Sequence, residues 1–333
     1  MSVVVPVRNE VASLPALLNG LQEQTHPVDQ VVIVDAGSSD GTRELAQRLV
    51  GHDARYRVLE VGPASPGTAR NAGIRAARND WIALTDAGIR PESSWLEALA
   101  DVARTDPDVK VVFGNFEPVG GSFFQRCAAL AYVSPKRATP AGAARDPFIA
   151  SSLLHRDVWK AAGGFPDLRA AEDLIFMERV SALGVAVRRA PSATVWWTLA
   201  PTLRSTFRRF ELYSKHNVFA GRQRHWHYGV ARKYLVSLPF LVLGVWRTYW
   251  WLVVPTAGAM GRVAKSILSR REGRGIAWAA NPAQFVMVGV IIIVIDAATF
   301  AGWIEAIWHR THAASGRRPG EEPRALAGPG PGR

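Results

Sequence analysis

Residues 71–91 read NAGIRAARNDWIALTDAGIRP. A helix-like run, Ala72 to Ala77, passes through Arg78-Asn79-Asp80 into the apolar run Trp81-Ile82-Ala83-Leu84, short and bounded as a buried strand is. The strand ends in Thr85-Asp86-Ala87-Gly88, which sets a carboxylate just past its carboxyl end. In open α/β sheets ligands bind in the crevice outside those ends. An Asp there serves either as ligand to a metal that carries a diphosphate or as the cap of the next helix.

Upstream, residues 2–5 form a buried strand ended by Pro6, and Val31-Val32-Ile33-Val34 a second. Leu14, Leu17, Leu18 and Leu21 recur between them at helical spacing. A helix over 42–50 and a strand over 56–61 complete a β-α-β-α-β order, which predicts a parallel sheet with helices on both faces. Glu10 follows the first strand, Asp35 the second and Asp86 the strand at 81–84. Asp40 reads as a helix cap. Three carboxylates at one sheet edge suit hydrogen bonding to a ribose or base, plus a diphosphate held through a metal. No G-x-G-x-x-G or P-loop follows the first strand, against a dehydrogenase or NTPase.

The chain has 333 residues and a net charge of +12. Residues 201–333 hold 19 Lys and Arg against 6 Asp and Glu, while residues 1–200 hold 21 against 22. The first part is thus a neutral globular domain, and the second is basic. The single cysteine, Cys127, excludes an internal disulfide and reads as a core residue. The chain opens on a strand without a secretory leader, so the expected place of the N-terminal domain is the cytoplasm.

Several segments, in order, resemble family 2 glycosyltransferases: VVVPVRNE at 3–10, VDAGSSDGT at 34–42, GTARNAG at 67–73, TDAG at 85–88, GGF at 163–165 and EDL at 172–174. The resemblance covers roughly residues 2–200. It implies a GT-A fold, a Rossmann-like α/β architecture with a mostly parallel sheet, a nucleotide-diphosphate sugar donor, and inversion at the anomeric carbon. It implies that Pro6, Arg8 and Glu10 line the nucleotide pocket, that Asp35 contacts base or ribose, and that Arg70 and Asn71 sit beside the nucleotide. Asp86 matches the first acid of the D-x-D element, the ligand for a divalent cation (Mg²⁺ or Mn²⁺) and the diphosphate. Gly88 stands where the second acid often sits, and Ala36 replaces the second acid of a frequent Asp-Asp pair. Inverting transfer needs a base on the acceptor hydroxyl. Asp173 is assigned that role and Glu172 is its neighbour. His155 reads as structural. Trp196-Trp197 either stacks on a sugar or shields the core. The stretch 120–147 reads as an irregular connection or a loop over the site.

Residues 201–233 interleave Arg and Lys with Leu, Phe, Tyr and Trp, a basic amphipathic segment suited to an anionic membrane surface. Arg208, Arg209, Lys215 and His216 are further donor-site candidates by the resemblance. Residues 234–308 form a membrane region with apolar stretches at about 234–256 and 285–304, each long enough to span a bilayer. Arg247 and Asp296 would pair between them. If both cross, the basic loop 262–274 lies outside, against the positive-inside tendency; a re-entrant first segment broken at Pro239 and Arg247 keeps it cytoplasmic. Residues 309–333 read as a disordered tail. No Q-x-x-R-W occurs, against a processive polysaccharide synthase. The expectation is a membrane glycosyltransferase with its catalytic domain on the cytoplasmic face, acting on a lipid-linked or membrane-surface acceptor in cell-envelope glycan or glycolipid synthesis. The rivals are a polyprenyl-phosphate sugar synthase, a catalytically inactive membrane scaffold and, least suited, a nucleic-acid binder.

Overall fold

The computed structural model describes residues 1–314. β1 (Ser2–Val7) and β2 (Gln30–Asp35) are apolar and almost wholly buried, as strands covered by helices on both faces must be. α1 (Leu14–Gln22) joins them, its leucines at 14, 17, 18 and 21 all buried. α2 (Thr42–Val50) leads to β3 (Tyr56–Glu60). α3 (Pro66–Ala76) begins earlier than the run at 72–77 suggests, because Ser65 caps it by accepting from Thr68 N at 3.1 Å and Pro66 takes the first helical position. β4 (Trp81–Leu84) follows.

β5 (Ile89–Pro91), α4 (Trp95–Thr105) and β6 (Val109–Val119) come next. The stretch 120–147 is more regular than its composition suggests. It holds α5 (Phe123–Tyr132), opened by a Ser122/Gln125 capping box, and a small hairpin of β7 (Arg137–Thr139) and β8 (Gly142–Ala144). β9 (Ser152–His155), α6 (Arg156–Ala161), α7 (Glu172–Ala182) and β10 (Ala186–Thr198) complete the sheet.

The eight-stranded sheet has the order β3-β2-β1-β4-β9-β6-β10-β5. β1 runs parallel to β2 and β4, β2 to β3, and β6 to β10, while β9 and β5 are antiparallel to their neighbours. Val7 lies opposite Asp35, and Val4 opposite Leu84. This register brings the loops after β1, β2 and β4 to one edge. Two apolar layers flank the sheet, one around Leu17, Trp95 and Leu99, the other around Ile74, Ile82 and Phe176.

The C-terminal part is built into this body. It comprises α8 (Leu203–Phe219), α9 (His227–Trp246), α10 (Val253–Ser269), α11 (Ile276–Ala279) and α12 (Pro282–Ala314). Val263, Ile267, Val288 and Ile291 belong to the same apolar layer as Trp95. His227–Trp246 and Pro282–His312 are long and apolar enough to cross a membrane, with mean hydropathies of 1.3 and 2.4.

The apolar stretch 234–256 breaks at Arg247, one of the two points named for a re-entrant segment, while Pro239 lies inside α9: α9 ends at Trp246, a short 3-10 turn covers Tyr249–Leu252, and α10 departs from there. Two expectations need correction. Asp296 pairs with Arg262, whose Nη2 donates to its Oδ1 at 2.8 Å, and not with Arg247, which is exposed at the bend. Of the tail, residues 309–314 continue α12, and 315–333 lie outside the described residues.

Gly73 marks how closely α3 lies on the sheet: a Cβ there would overlap Val4 Cγ1 and come within 2.9 Å of Val34 Cγ2. Gly73→Ala is expected to lower stability by about 1–3 kcal/mol through overpacking, read as a lower midpoint of chemical unfolding. An unchanged midpoint would show that the helix can lift without cost.

Candidate active site

The loops at the sheet edge tie one another down. Asn9 adopts a positive φ of 58° and its Oδ1 accepts from Ser39 N at 2.9 Å. Glu10 N donates to Thr42 Oγ1 at 2.7 Å, and Val11 N to Asp40 Oδ2 at 3.2 Å. Asp40 also accepts from Thr42 N at 3.0 Å, and the Thr42 hydroxyl holds its carboxyl below the usual range. The loop after β1 is thereby clamped to the start of α2, which fixes Arg8 and Glu10.

These loops open onto a cleft of about 860 Å³. Pro6, Arg8, Glu10, Arg70 and Asp86 line it from the sheet edge, and Glu172 and Asp173 from the start of α7. Asp35 lies one step behind: it is buried, its neighbours Val7 and Ala36 line the cleft, and its Oδ2 accepts from Gly37 N and Ser38 N, each at 3.2 Å. Its other oxygen, Oδ1, is buried without any hydrogen-bond partner. Buried polar atoms are rarely left so, and such an acceptor suits a ligand hydroxyl or N–H.

Arg70 is the hub. Its guanidinium is buried, donating through Nη1 to Glu172 Oε1 and through Nη2 to Asp86 Oδ1, each at 2.7 Å. It also lies 5.6 Å from the Phe165 ring centroid. Burial works against its charge, but Asp86 and Glu172 outweigh that and hold it firmly protonated. Burial pushes the Glu172 carboxyl up despite Arg70. Burial likewise raises the Asp173 carboxyl, with Arg70 again opposing. The geometry behind this is local. Gly67 lets α3 approach α7, because a Cβ there would overlap Pro166 O and meet Glu172 Cγ at 3.3 Å. Ala171 takes a positive φ of 69° just before the helix, which turns the two acids inward at a cost of about 1–3 kcal/mol.

Other expected residues fall elsewhere. Asn71 does not line the cleft; its side chain faces away and ties down the Gly164-Phe165 turn. Its Nδ2 donates to Phe165 O at 2.8 Å, and its Oδ1 accepts from Phe165 N and from Trp159 Nε1, each at 2.9 Å. It therefore positions the chain that leads to Glu172. His155 caps α6 by accepting from Asp157 N at 3.3 Å. Cys127 is buried and free.

Of the Arg and Lys residues after 200, Arg209 and Arg222 line the cleft. Arg209 lines it with its guanidinium 5.7 Å from the Trp197 ring, and its Nη1 is buried without a partner. Lys215 instead binds Glu305 at 2.5 Å, and Arg208 and His216 lie off the cleft. Residues not singled out in the sequence form the far wall: Phe116, Phe148, Tyr132, Phe210 and Trp226. They meet edge-on or tilted, as Phe116 and Phe148 do at 4.8 Å. Trp197 joins them, so it faces both core and cleft. One end of the cleft is ionic and the other aromatic. No sequence period betrays this wall, since its six residues come from separate helices, strands and loops.

A GT-A architecture and an acid-lined cleft at the ends of β1 and β4 define the class. Residues 2–150 match the profile described as Glycosyl transferase family 2. It is 28% identical over 196 residues to the glycosyltransferase AglE of Haloferax volcanii, covering 56% of this chain and 63% of the relative. To the succinoglycan biosynthesis protein ExoA of Rhizobium meliloti it is 31% identical over 175 residues, covering 50% and 52%. To the pre-mycofactocin glycosyltransferase of Mycobacterium tuberculosis it is 25% identical over 327 residues, covering 92% and 63%. The matches thus span 52% to 63% of these relatives' lengths. In fold it is similar to the mannosyltransferase PcManGT of Pyrobaculum calidifontis, solved with GDP-Man and Mn²⁺, at TM-score 0.55 and 18% identity over 93% of this chain and 87% of that one.

Arg70→Met leaves Glu172 buried without its counter-charge. The expected loss is about 3–5 kcal/mol, seen as a lower denaturant midpoint. Glu172→Gln placed on top should recover part of it. A double variant as unstable as the sum of the two singles would show that the pair is not coupled.

Proposed function

We propose that the chain is an inverting glycosyltransferase that moves a sugar from a nucleotide diphosphate to an acceptor hydroxyl at the membrane surface. The observation that carries this reading is that Arg70 joins Asp86 to Glu172, which sets Asp173, the next residue, on the same cleft as Asp86. Donor contacts and a basic group for the acceptor then face the same space.

In this reading the nucleoside lies over Pro6 and Arg8, with Asp35 Oδ1 accepting from its base or ribose. The diphosphate extends toward Asp86, where Arg209 Nη1 offers an unused donor. Asp86 would hold a divalent cation. Among the described residues no three His, Cys, Asp or Glu side chains stand together to hold one alone. A hard cation takes about six oxygens, so the remaining ligands would be diphosphate oxygens and water, which fits a single protein carboxylate with Arg70 on its Oδ1. When bound, the cation supplies charge neutralisation of the departing diphosphate.

Asp173 takes the acceptor proton. Its carboxyl is raised by burial, which strengthens it as a base. It works as carboxylate, so the rate falls as pH drops through its raised pKa. Glu172, locked on Arg70, positions it. The aromatic wall suits an acceptor that stacks a sugar ring or carries an apolar chain, in keeping with a membrane-bound substrate and with a relative named for succinoglycan biosynthesis. The cytoplasmic face of the cell membrane is the proposed site of action.

The test is release of sugar from a panel of nucleotide sugars by the purified full chain, with Mn²⁺ or Mg²⁺. Cation-dependent turnover of one donor is expected, lost at least 100-fold in Asp86→Ala. Silence across the panel together with no binding of any nucleoside diphosphate would overturn the reading. With acceptor present, Asp173→Asn should cost about 10²–10⁴-fold; a mild effect would point to an acceptor phosphate that needs no base. The acid limb of kcat/KM should lie above the ordinary aspartate value of about 3.9, and a limb at or below that value would remove Asp173 from the role of base.

A further inference from the structure

The C-terminal helices leave the domain and return to it. At its start α9 is held: His227 is buried with Nε2 2.8 Å from Ser214 Oγ, and the Tyr234 hydroxyl donates to Asp296 at 2.8 Å. Beyond Tyr234 the helix is bare, Leu235 being 67%, Val245 79% and Trp246 86% exposed. The chain bends through Arg247–Leu252, closely enough that a Cβ on Gly244 would overlap Leu252. On the return, α10 is held again from Arg262 onward. Arg262 binds Asp296, Val263 and Ile267 enter the core, and Ser266 Oγ donates to Leu130 O at 2.8 Å. Glu272 then accepts from Arg145 at 2.5 Å.

Both feet of this hairpin therefore stand on the domain that carries the cleft. The free legs, residues 235–246 and 253–261, are about 18 Å and 14 Å long at ~1.5 Å per residue. The hydrocarbon layer is about 30 Å thick, so the hairpin cannot cross it. Nor does α12 leave the body. It packs on α5 with Val288 and Ile291 buried, and Gly302 is pressed against α8, where a Cβ would overlap Glu211 O. Its outward residues, Val286, Val290, Ile293, Ile304 and Trp308, form one stripe at helical spacing. Around the helix the stripe adjoins the face that Tyr234 covers, where its ring meets Phe300 at 5.4 Å.

The chemistry of this surface specifies its partner. From residue 227 to 271 there is no Asp or Glu, and Arg232, Lys233 and Lys265 stand exposed at the base of the hairpin. The tip carries Trp246, Tyr249, Trp250 and Trp251, residues that favour the membrane interface. Arg247 at the tip resists the bilayer centre and reaches headgroups only from a shallow position. We infer that the chain is monotopic: the hairpin and the stripe of α12 enter one leaflet of an anionic bilayer at a shallow angle, and no described segment crosses. The loop Arg270–Arg274 then stays on the side of the catalytic domain, as the positive-inside tendency asks. The inference rests on the membrane part of the proposed function and is independent of sugar transfer.

Two experiments on the full chain test it. Purified protein should float with vesicles of phosphatidylglycerol and phosphatidylcholine, several-fold less with phosphatidylcholine alone, and at least tenfold less in Trp250→Glu, an exposed change that leaves the core intact. Equal flotation on neutral vesicles would overturn the anionic partner. No flotation on either would overturn membrane attachment itself, while nucleotide-sugar turnover would be untouched. In a Cys127→Ala background, Thr248→Cys and Arg274→Cys should both resist an impermeant maleimide in spheroplasts and both react after lysis. Labelling of Thr248→Cys in intact spheroplasts would show that the hairpin crosses and would overturn the inference.

Discussion

A single buried cation holds the centre of this protein. Arg70 sits on α3 with one nitrogen on Glu172 and another on Asp86. A guanidinium out of water costs several kcal/mol unless its partners are well placed. Its fork geometry answers that, since two carboxylates from different elements meet two edges of one planar group. The rest of the site follows from where those elements must be. α3 has to lie close on β1 and β2, which Gly73 permits, and close to α7, which Gly67 permits. The turn before α7 has to be fixed, which Asn71 and the left-handed Ala171 achieve. The acid past β4 thereby shares a charge with the acids that open α7, across a long gap in sequence.

The atoms left without partners carry as much meaning as those with them. Asp35 Oδ1 and Arg209 Nη1 are buried and unpaired near the two ends of the nucleotide's proposed path. One is an acceptor and the other a cationic donor, the complement of a ribose or base at one end and of phosphate at the other. Arg209 comes from α8, so the proposed donor site would be completed by the C-terminal helices. These helices also fill the core through Val263, Ile267, Val288 and Ile291. The apolar C-terminal helices and the proposed site are thus one packed body.

Much of this was legible in the chain. The all-apolar strands, the Leu spacing of α1 and the acid after each strand placed the sheet edge and its carboxylates, because buried parallel strands and their loops leave a local signature. Other features left none. Asn71 sits beside Arg70 in the sequence, yet one helical step of about 100° turns it toward the Gly164 turn instead of the cleft. Arg262 rather than Arg247 meets Asp296, since the bend at 247–252 reverses the chain, and charge spacing alone does not reveal a reversal. The helix at 123–132 had a signal, the Ser122/Gln125 capping box, hidden among Gly and Pro residues. The aromatic wall assembles only in three dimensions.

The cleft beside Arg70 is the proposed nucleotide site. The most direct measurement is a structure of the full chain with UDP or GDP and Mn²⁺. The expected result places the nucleoside within hydrogen-bond reach of Asp35 Oδ1 and the diphosphate between Asp86 and Arg209, with Arg70 still on Glu172. Nucleotide bound outside this cleft, or inside it with Asp35 Oδ1 and Asp86 both untouched, would contradict the account.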